Sequence, residues 1–316
     1  MSRIFRVAAG QMGPTQRSDS RADTVGRLIA LLEAAAKQGV KLVVFPELAL
    51  STFFPRWLMA PAEVDAYFES AMPNSSVQSL FDCARRLGVG FYLGYAERTE
   101  AGKHFNSSIT VDTRGEIIGH YRKVHLPGSV EPRPDSKAQQ LEKRYFEYGD
   151  LGFPAFKGDA QWHSPTMGML ICNDRRWPEA WRSYGLQGIE VMLIGYNSAA
   201  YDPNGGTSED LALRTFHSML VTQANAYMNS TWAVSAAKAG VEDGFGLIAG
   251  SCVVDPNGVV VAQAATMEDE LVIADCDLDA CRQGREKMFN FAAHRRPQHY
   301  RRLIDQVGIE EPGAAG

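Results

Sequence analysis

Three short runs, Lys41-Leu42-Val43-Val44-Phe45, Met167-Gly168-Met169-Leu170-Ile171-Cys172 and Ile189 to Ile194, lack the polar alternation of a half-solvated strand. Strands of that kind are covered on both faces, so the chain reads as α/β with its sheets buried beneath helices. The segments between the runs supply the helices. Val25, Leu28, Ile29, Leu32 and Ala36 fall on one helical face ahead of Gly39, and Val77, Leu80, Phe81 and Ala84 do the same ahead of Gly88. Glycine just past such a face closes a helix in the left-handed conformation. Phe5 to Gln11 and Val89 to Leu93 read as further strands. Ile109 to Ile118 and Cys252 to Val260 each read as a hairpin, with Asp and Gly at the turn between β-branched arms. One such hairpin in each half suggests two sheets packed face to face, although Asp-x-x-Gly turns are common in any β structure.

At 316 residues the chain accommodates one large or two small domains, and no Gly/Ser-rich, Pro-rich or single-charge stretch divides it. One continuous unit over residues 1–316 is expected. The amino terminus lacks the apolar core of a signal peptide, and no run approaches the ~18 apolar residues that cross a bilayer, so a cytoplasmic protein without membrane contact is expected. A formal charge of -5 without a basic stripe argues against a nucleic-acid partner. The five cysteines are an odd number in a chain without an export signal, which argues for reduced thiols. Cys276 and Cys281 form the one close pair, and no CxxC or HxxxH spacing completes a zinc site, so neither metal nor cofactor is expected.

The apolar runs share a second property: each ends in a residue suited to chemistry. Glu47 follows Pro46, Cys172 opens the charged segment Asn173-Asp174-Arg175-Arg176, and Asn197 follows Gly195-Tyr196. Ligands of α/β sheets bind beyond the carboxyl ends of strands, where all three lie. Two nearby arginines would favour a thiolate at Cys172, yet a buried structural cysteine fits the local pattern as well. Glu47 fits a helix cap or solvated loop as readily as a catalytic base. Lys123, in Tyr121-Arg122-Lys123-Val124-His125, must snorkel or meet a carboxylate, and edge-strand lysines also guard against aggregation.

Phe45-Pro46-Glu47, Tyr121-Arg122-Lys123-Val124-His125-Leu126-Pro127 and Cys172-Asn173-Asp174-Arg175-Arg176-Trp177-Pro178-Glu179, in this order and spacing, resemble the Glu, Lys and Cys motifs of the nitrilase superfamily of carbon–nitrogen hydrolases. The nearer likeness within it is to the N-carbamoyl-D-amino acid amidohydrolases, through Thr52-Phe53-Phe54-Pro55-Arg56-Trp57, Leu141-Glu142-Lys143-Arg144-Tyr145-Phe146 and Gly149-Asp150-Leu151-Gly152-Phe153-Pro154. Three dispersed motifs in the same order are far more specific than any one.

The resemblance implies a four-layer α-β-β-α sandwich of two mixed sheets flanked by helices. It also implies hydrolysis of N-carbamoyl-D-amino acids to the amino acid, ammonia and carbon dioxide. Cys172 is then the nucleophile, Glu47 the general base, Lys123 the oxyanion stabiliser and Glu142 a second, positioning carboxylate. Asn173, Arg175, Arg176 and Asn197 are expected to line the substrate site, where guanidinium suits a carboxylate, although either arginine alone pairs as readily with Asp174 or Glu179. His125 is expected to orient Lys123 or Glu142. Gln140 stands where the resembled enzymes carry a titratable histidine, and the loop 199–210 reads as a variable pocket mouth. The aromatic and basic tail from about 288 to 316 is expected to pack on another subunit of a dimer or tetramer. Two other readings remain open: an amidase or β-ureidopropionase-like hydrolase of another amide or ureido acid, and a non-catalytic binding protein.

Overall fold

The computed structural model describes residues 2–134, 136, 139–201 and 210–311. The strands are β1 (Ile4–Gln11), β2 (Leu42–Val44), β3 (Phe68–Glu69), β4 (Gly90–Arg98), β5 (His104–Val111), β6 (Ile117–Arg122), β7 (Phe156–Lys157), β8 (Thr166–Ile171), β9 (Val191–Tyr196), β10 (Trp232–Ala237), β11 (Val241–Glu242), β12 (Phe245–Gly246), β13 (Cys252–Val254), β14 (Val260–Gln263) and β15 (Glu270–Asp277). The first sheet has the order β15-β1-β2-β4-β5-β6, with β3 beside β4, and the second has the order β14-β13-β10-β9-β8-β7. Both are mixed. The central pairs β1–β2, β2–β4, β8–β9 and β9–β10 are parallel, and antiparallel strands flank them.

The helices that matter here are α1 (Arg21–Lys37), α2 (Pro61–Asp65), α3 (Gln78–Leu87), α4 (Glu142–Tyr145), α5 (Pro178–Gly185) and α6 (Leu211–Asn229). Alternation along the strands explains the layers. Val7, Ala9, Leu42, Val44 and Tyr92 of the first sheet join Met169, Ile171, Leu193 and Val234 of the second in one core. The intervening Ala8, Val43 and Phe91 pack outward with Val25, Leu28 and Leu32 of α1 and Leu80, Phe81 and Ala84 of α3. Trp181 and Tyr184 of α5 and Ala226 of α6 close the second sheet. The result is a four-layer α-β-β-α sandwich, and both faces of each central strand are dry, which is why the runs carry no polar alternation.

The two hairpins lie one in each sheet, as β5–β6 and β13–β14. Gly88 ends α3 at φ +65°. In this arrangement β2, β8 and β9 bring their carboxyl ends to one region at the junction of the two sheets, and the chain after β6 runs into it.

Candidate active site

Glu47 reaches the centre because two glycines let its loop in. A Cβ on Gly94 of β4 would sit 2.6 Å from the Pro46 carbonyl and 2.8 Å from Glu47 Cα, and one on Gly195 of β9 would sit 2.8 Å from the Glu47 nitrogen. Leu48 then turns the chain at φ +45°. Lys123 emerges one residue beyond β6, fixed by its amide donating to Asn106 O at 2.8 Å. Glu142 stands at the first position of α4. All three are buried: Glu47 and Glu142 are 0 % exposed and Lys123 1 %.

Lys123 Nζ lies 2.7 Å from Glu47 Oε1 and 2.5 Å from Glu142 Oε2. Asn106 Nδ2 donates to the same two oxygens, at 2.8 and 3.4 Å. Two carboxylates therefore share one ammonium away from water. Burial alone would discharge Lys123, but the two carboxylates outweigh it and hold the ammonium well above its ordinary pKa. Burial pushes Glu142 up; Lys123 pulls it back, Glu47 adds repulsion, and the outcome is about 7. Glu142, a second carboxyl group beside Glu47, thus titrates close to neutral pH.

Cys172 begins the tight 3-10 turn Cys172–Arg176 directly after β8, with φ +46°, and Pro178 at the start of α5 follows. A left-handed non-glycine residue costs roughly 1–3 kcal/mol and persists only where its surroundings impose it. Asp174 does so from one side. Its Oδ2 accepts from the Ile171 amide at 3.2 Å and the Tyr121 hydroxyl at 2.8 Å, and its Oδ1 accepts from the His125 amide at 2.9 Å and lies 2.8 Å from His125 Nδ1. One buried carboxylate thereby ties the turn that bears Cys172 to the segment that bears Lys123.

A cavity of about 350 Å³ opens above the thiol, lined by Cys172, Asn173, Arg176, Asn197, Gln140 and Arg56 among others. Asn197 is 6 % exposed, and neither atom of its side-chain amide has a hydrogen-bond partner among the described residues. Glu47, Lys123 and Glu142 are buried outside its lining, close enough for their charges to act on Cys172.

Three sequence expectations need correction, and one residue of the site, Asn106, was not among them. Burial, reinforced by Glu47, raises the Cys172 thiol above its ordinary pKa despite Lys123 and Arg175, so the resting group is a thiol rather than the thiolate that the nearby arginines suggested. Arg175, expected to line the substrate site, is 0 % exposed and turned behind Cys172. His125 reaches Asp174 rather than Lys123 or Glu142, stacked on Trp177 with ring centroids 4.9 Å apart. Asn106 escaped notice because an amide in the middle of a strand has no local signature; only the two carboxylates around it reveal its use. Of the 199–210 loop, Ala199 and Tyr201 do line the cavity, while 202–209 lie outside the described residues, as do 135, 137 and 138 ahead of Gln140 and 312–316 of the tail.

A buried thiol beside a carboxylate–ammonium–carboxylate cluster suits acyl transfer from an amide. The carbon-nitrogen hydrolase family model matches residues 6–286. This chain belongs to that family. It is a hydrolase of non-peptide carbon–nitrogen bonds in amides. The hydrolase is similar to an N-carbamoylputrescine amidase of Solanum lycopersicum, with 29% identity over 97% of each chain. It is also similar to a nitrilase of Pyrococcus abyssi, with 30% identity over 94% of this chain and 99% of that one. A carbon-nitrogen hydrolase of Helicobacter pylori shares the fold at TM-score 0.81 and 24% identity, over 96% of this chain and 100% of that one. Among the described residues no group of His, Cys, Asp and Glu side chains could hold a metal ion, and no helix is long and apolar enough to cross a membrane.

Proposed function

We propose that the hydrolase cleaves N-carbamoyl-D-amino acids, with Cys172 as nucleophile, Glu47 as base and Lys123 as oxyanion stabiliser. The observation that carries the substrate class is the charge of the cavity wall. Arg176 and Arg214 line it, Arg56 lines it while ion-paired at 3.4 Å to the buried Glu242 behind it, and no aspartate or glutamate lines it among the described residues. Arginine forks suit a carboxylate, whereas a ureido compound that carries an ammonium, such as the substrate named for the plant relatives, would meet repulsion. The D configuration rests on the motif resemblance.

The chemistry follows from the cluster. Glu47 takes the Cys172 proton as sulfur attacks the ureido carbonyl, and Lys123 neutralises the oxyanion in a dry site. Glu47 returns the proton to the departing ammonia. Water activated by Glu47 then cleaves the sulfur–carbon bond, and the resulting N-carboxy amino acid loses carbon dioxide. Glu142 keeps Lys123 aimed by sharing its ammonium. The substrate amide is held by Asn173 and Asn197 and its carboxylate by Arg176.

We assign residues 1–316 to one catalytic unit, in the cytoplasm, working as a dimer or tetramer. Support for assembly comes from α6, whose Leu213, Phe216, Leu220 and Tyr227 recur at helical spacing while 42–57% exposed. A separate groove lies between α5, another face of α6 and residues 288–304 of the tail, with Met228, Met288, Phe289, Phe291, Leu303 and Ile304 in its lining. The test is ammonia release from matched D and L N-carbamoyl amino acids, N-carbamoyl-β-alanine and N-carbamoylputrescine, in wild type and Arg176→Ala. Turnover of the D acids, with KM raised about tenfold or more by the substitution, is expected. Preference for N-carbamoylputrescine would overturn the assignment. Light scattering of Phe216→Asp beside wild type tests the assembly.

A further inference from the structure

Arg175 is fully buried and does not line the cavity, and its two terminal nitrogens are tethered although its Nε has no hydrogen-bond partner among the described residues. Its Nη1 donates to the Cys172 carbonyl at 2.7 Å and lies 3.8 Å from Cys172 Sγ. Its Nη2 donates to Ser198 Oγ at 3.1 Å and Ser218 Oγ at 2.9 Å. The guanidinium lies 4.2 Å over the Tyr196 ring, and its own backbone carbonyl accepts from Trp181 Nε1 at 3.0 Å. Both terminal nitrogens are committed to one carbonyl and two hydroxyls, an aromatic ring lies against the face, and the whole side chain is 0 % exposed, so no edge of the guanidinium is presented to the cavity for a bidentate carboxylate.

We infer that Arg175 serves the nucleophile and not the substrate: it clamps Cys172 in its left-handed turn and stabilises negative charge on the sulfur. The clamp acts on the side opposite Asp174, so the turn is held from β6 by one residue and from β9 and α6 by the next. The charge acts twice in the cycle. When sulfur attacks, the S–H proton passes to Glu47 and the forming S–C bond draws on a sulfur lone pair that Arg175 has helped to expose. When the acyl group is hydrolysed, the S–C bond breaks, the electron pair returns to sulfur, and the thiolate regains a proton from Glu47. In both steps the guanidinium opposes burial.

The charged groups that face the sulfur are Glu47 and Glu142, which disfavour a thiolate, and Lys123 and Arg175, which favour it. Removing Arg175 therefore leaves burial and two carboxylates against one ammonium. The inference rests on Cys172 as the nucleophile, within the reaction proposed above, and not on the carbamoyl substrate.

The experiment is the pH dependence of Cys172 alkylation by iodoacetamide in the full chain, with Cys172→Ala as background for the other four thiols. Wild type, Arg175→Lys, Arg175→Gln and Ser218→Ala are compared. In parallel, kcat and KM are measured for an N-carbamoyl-D-amino acid and for a neutral amide of similar size. Arg175→Gln is expected to move the alkylation midpoint upward by about one pH unit or more. It should also lower kcat for both substrates alike, with KM within about twofold, while Arg175→Lys recovers part of each loss. Ser218→Ala, which removes one tether and touches neither the thiol nor the cavity, shifts the midpoint the same way by less. An unmoved alkylation profile in whichever of these variants folds would overturn the inference. So would a rise in KM confined to the anionic substrate. Absence of carbamoyl turnover in wild type would sink the substrate assignment and leave the alkylation result to judge Arg175 by itself.

Discussion

Asp174→Ala is the substitution whose cost the geometry sets most directly. Truncation removes the acceptor of the Tyr121 hydroxyl and the Ile171 amide, both on residues that are 0 % exposed, and of the amide and ring nitrogen of the partly buried His125. A buried donor left without a partner costs about 1–3 kcal/mol, and the two fully buried ones therefore give roughly 2–6 kcal/mol. The His125 donors face water and add about 0.5–1 kcal/mol each at most. A loss of about 3–5 kcal/mol is expected, in the range for breaking a buried charged network. Asp174→Asn keeps the volume and one acceptor but turns an N–H toward existing donors, so roughly half that loss follows. Urea unfolding followed by tryptophan fluorescence, at one chain concentration, measures both. The same samples should lose about 100-fold or more in kcat, because the turn bearing Cys172 and the segment bearing Lys123 are no longer tied together. A stability change under about 1 kcal/mol with kcat within threefold of wild type would refute the reasoning.

Further expectations concern the other supports of the site. Gly94→Ala places a Cβ 2.6 Å from the Pro46 carbonyl, backbone that cannot rotate away, so Glu47 is displaced and amidase turnover is lost together with several degrees of Tm, read by an ammonia assay and calorimetry. Asn106→Leu removes the amide that bridges Glu47 and Glu142, and a fall in kcat of about tenfold or more is expected with little change in KM. Glu142 is raised by burial to about 7, so the folded chain binds a proton that the unfolded chain releases near pH 4.5. Stability attributable to this group is therefore fully present below about 4.5 and declines as pH rises toward 7, and Glu142→Gln should flatten that slope in urea midpoints measured across the window. Cys172→Ser should leave the fold intact by circular dichroism and abolish iodoacetamide labelling at the site together with nearly all turnover.

Much of the sandwich was legible because burial leaves a local imprint. The runs Lys41 to Phe45, Met167 to Cys172 and Ile189 to Ile194 became β2, β8 and β9, and their apolar character reflects sheets dry on both faces. Gly88 announced the end of α3 for the same local reason, since its φ suits residues without a Cβ. The hairpins at Ile109 to Ile118 and Cys252 to Val260 carried their own turn chemistry. What each side chain would touch was not legible. Arg175 and Arg176 are neighbours of one type, yet one is sealed behind the thiol and the other lines the cavity, because a tight turn sends adjacent side chains to opposite sides.

The amino-acid sequence by itself determined the covered strands, the helices between them, and the residue types that the carboxyl ends of β2 and β8 and the exit of β6 deliver. Those properties depend on periodicity and on turn residues a few positions apart. Only the tertiary structure decided the charge states and partnerships of the delivered groups. It paired Lys123 with two carboxylates 76 and 19 residues away, raised the Cys172 thiol instead of lowering it, and enlisted Asn106 and Asp174. Desolvation and Coulomb energy depend on what surrounds a group in space, and packing two sheets together draws those surroundings from distant parts of the chain.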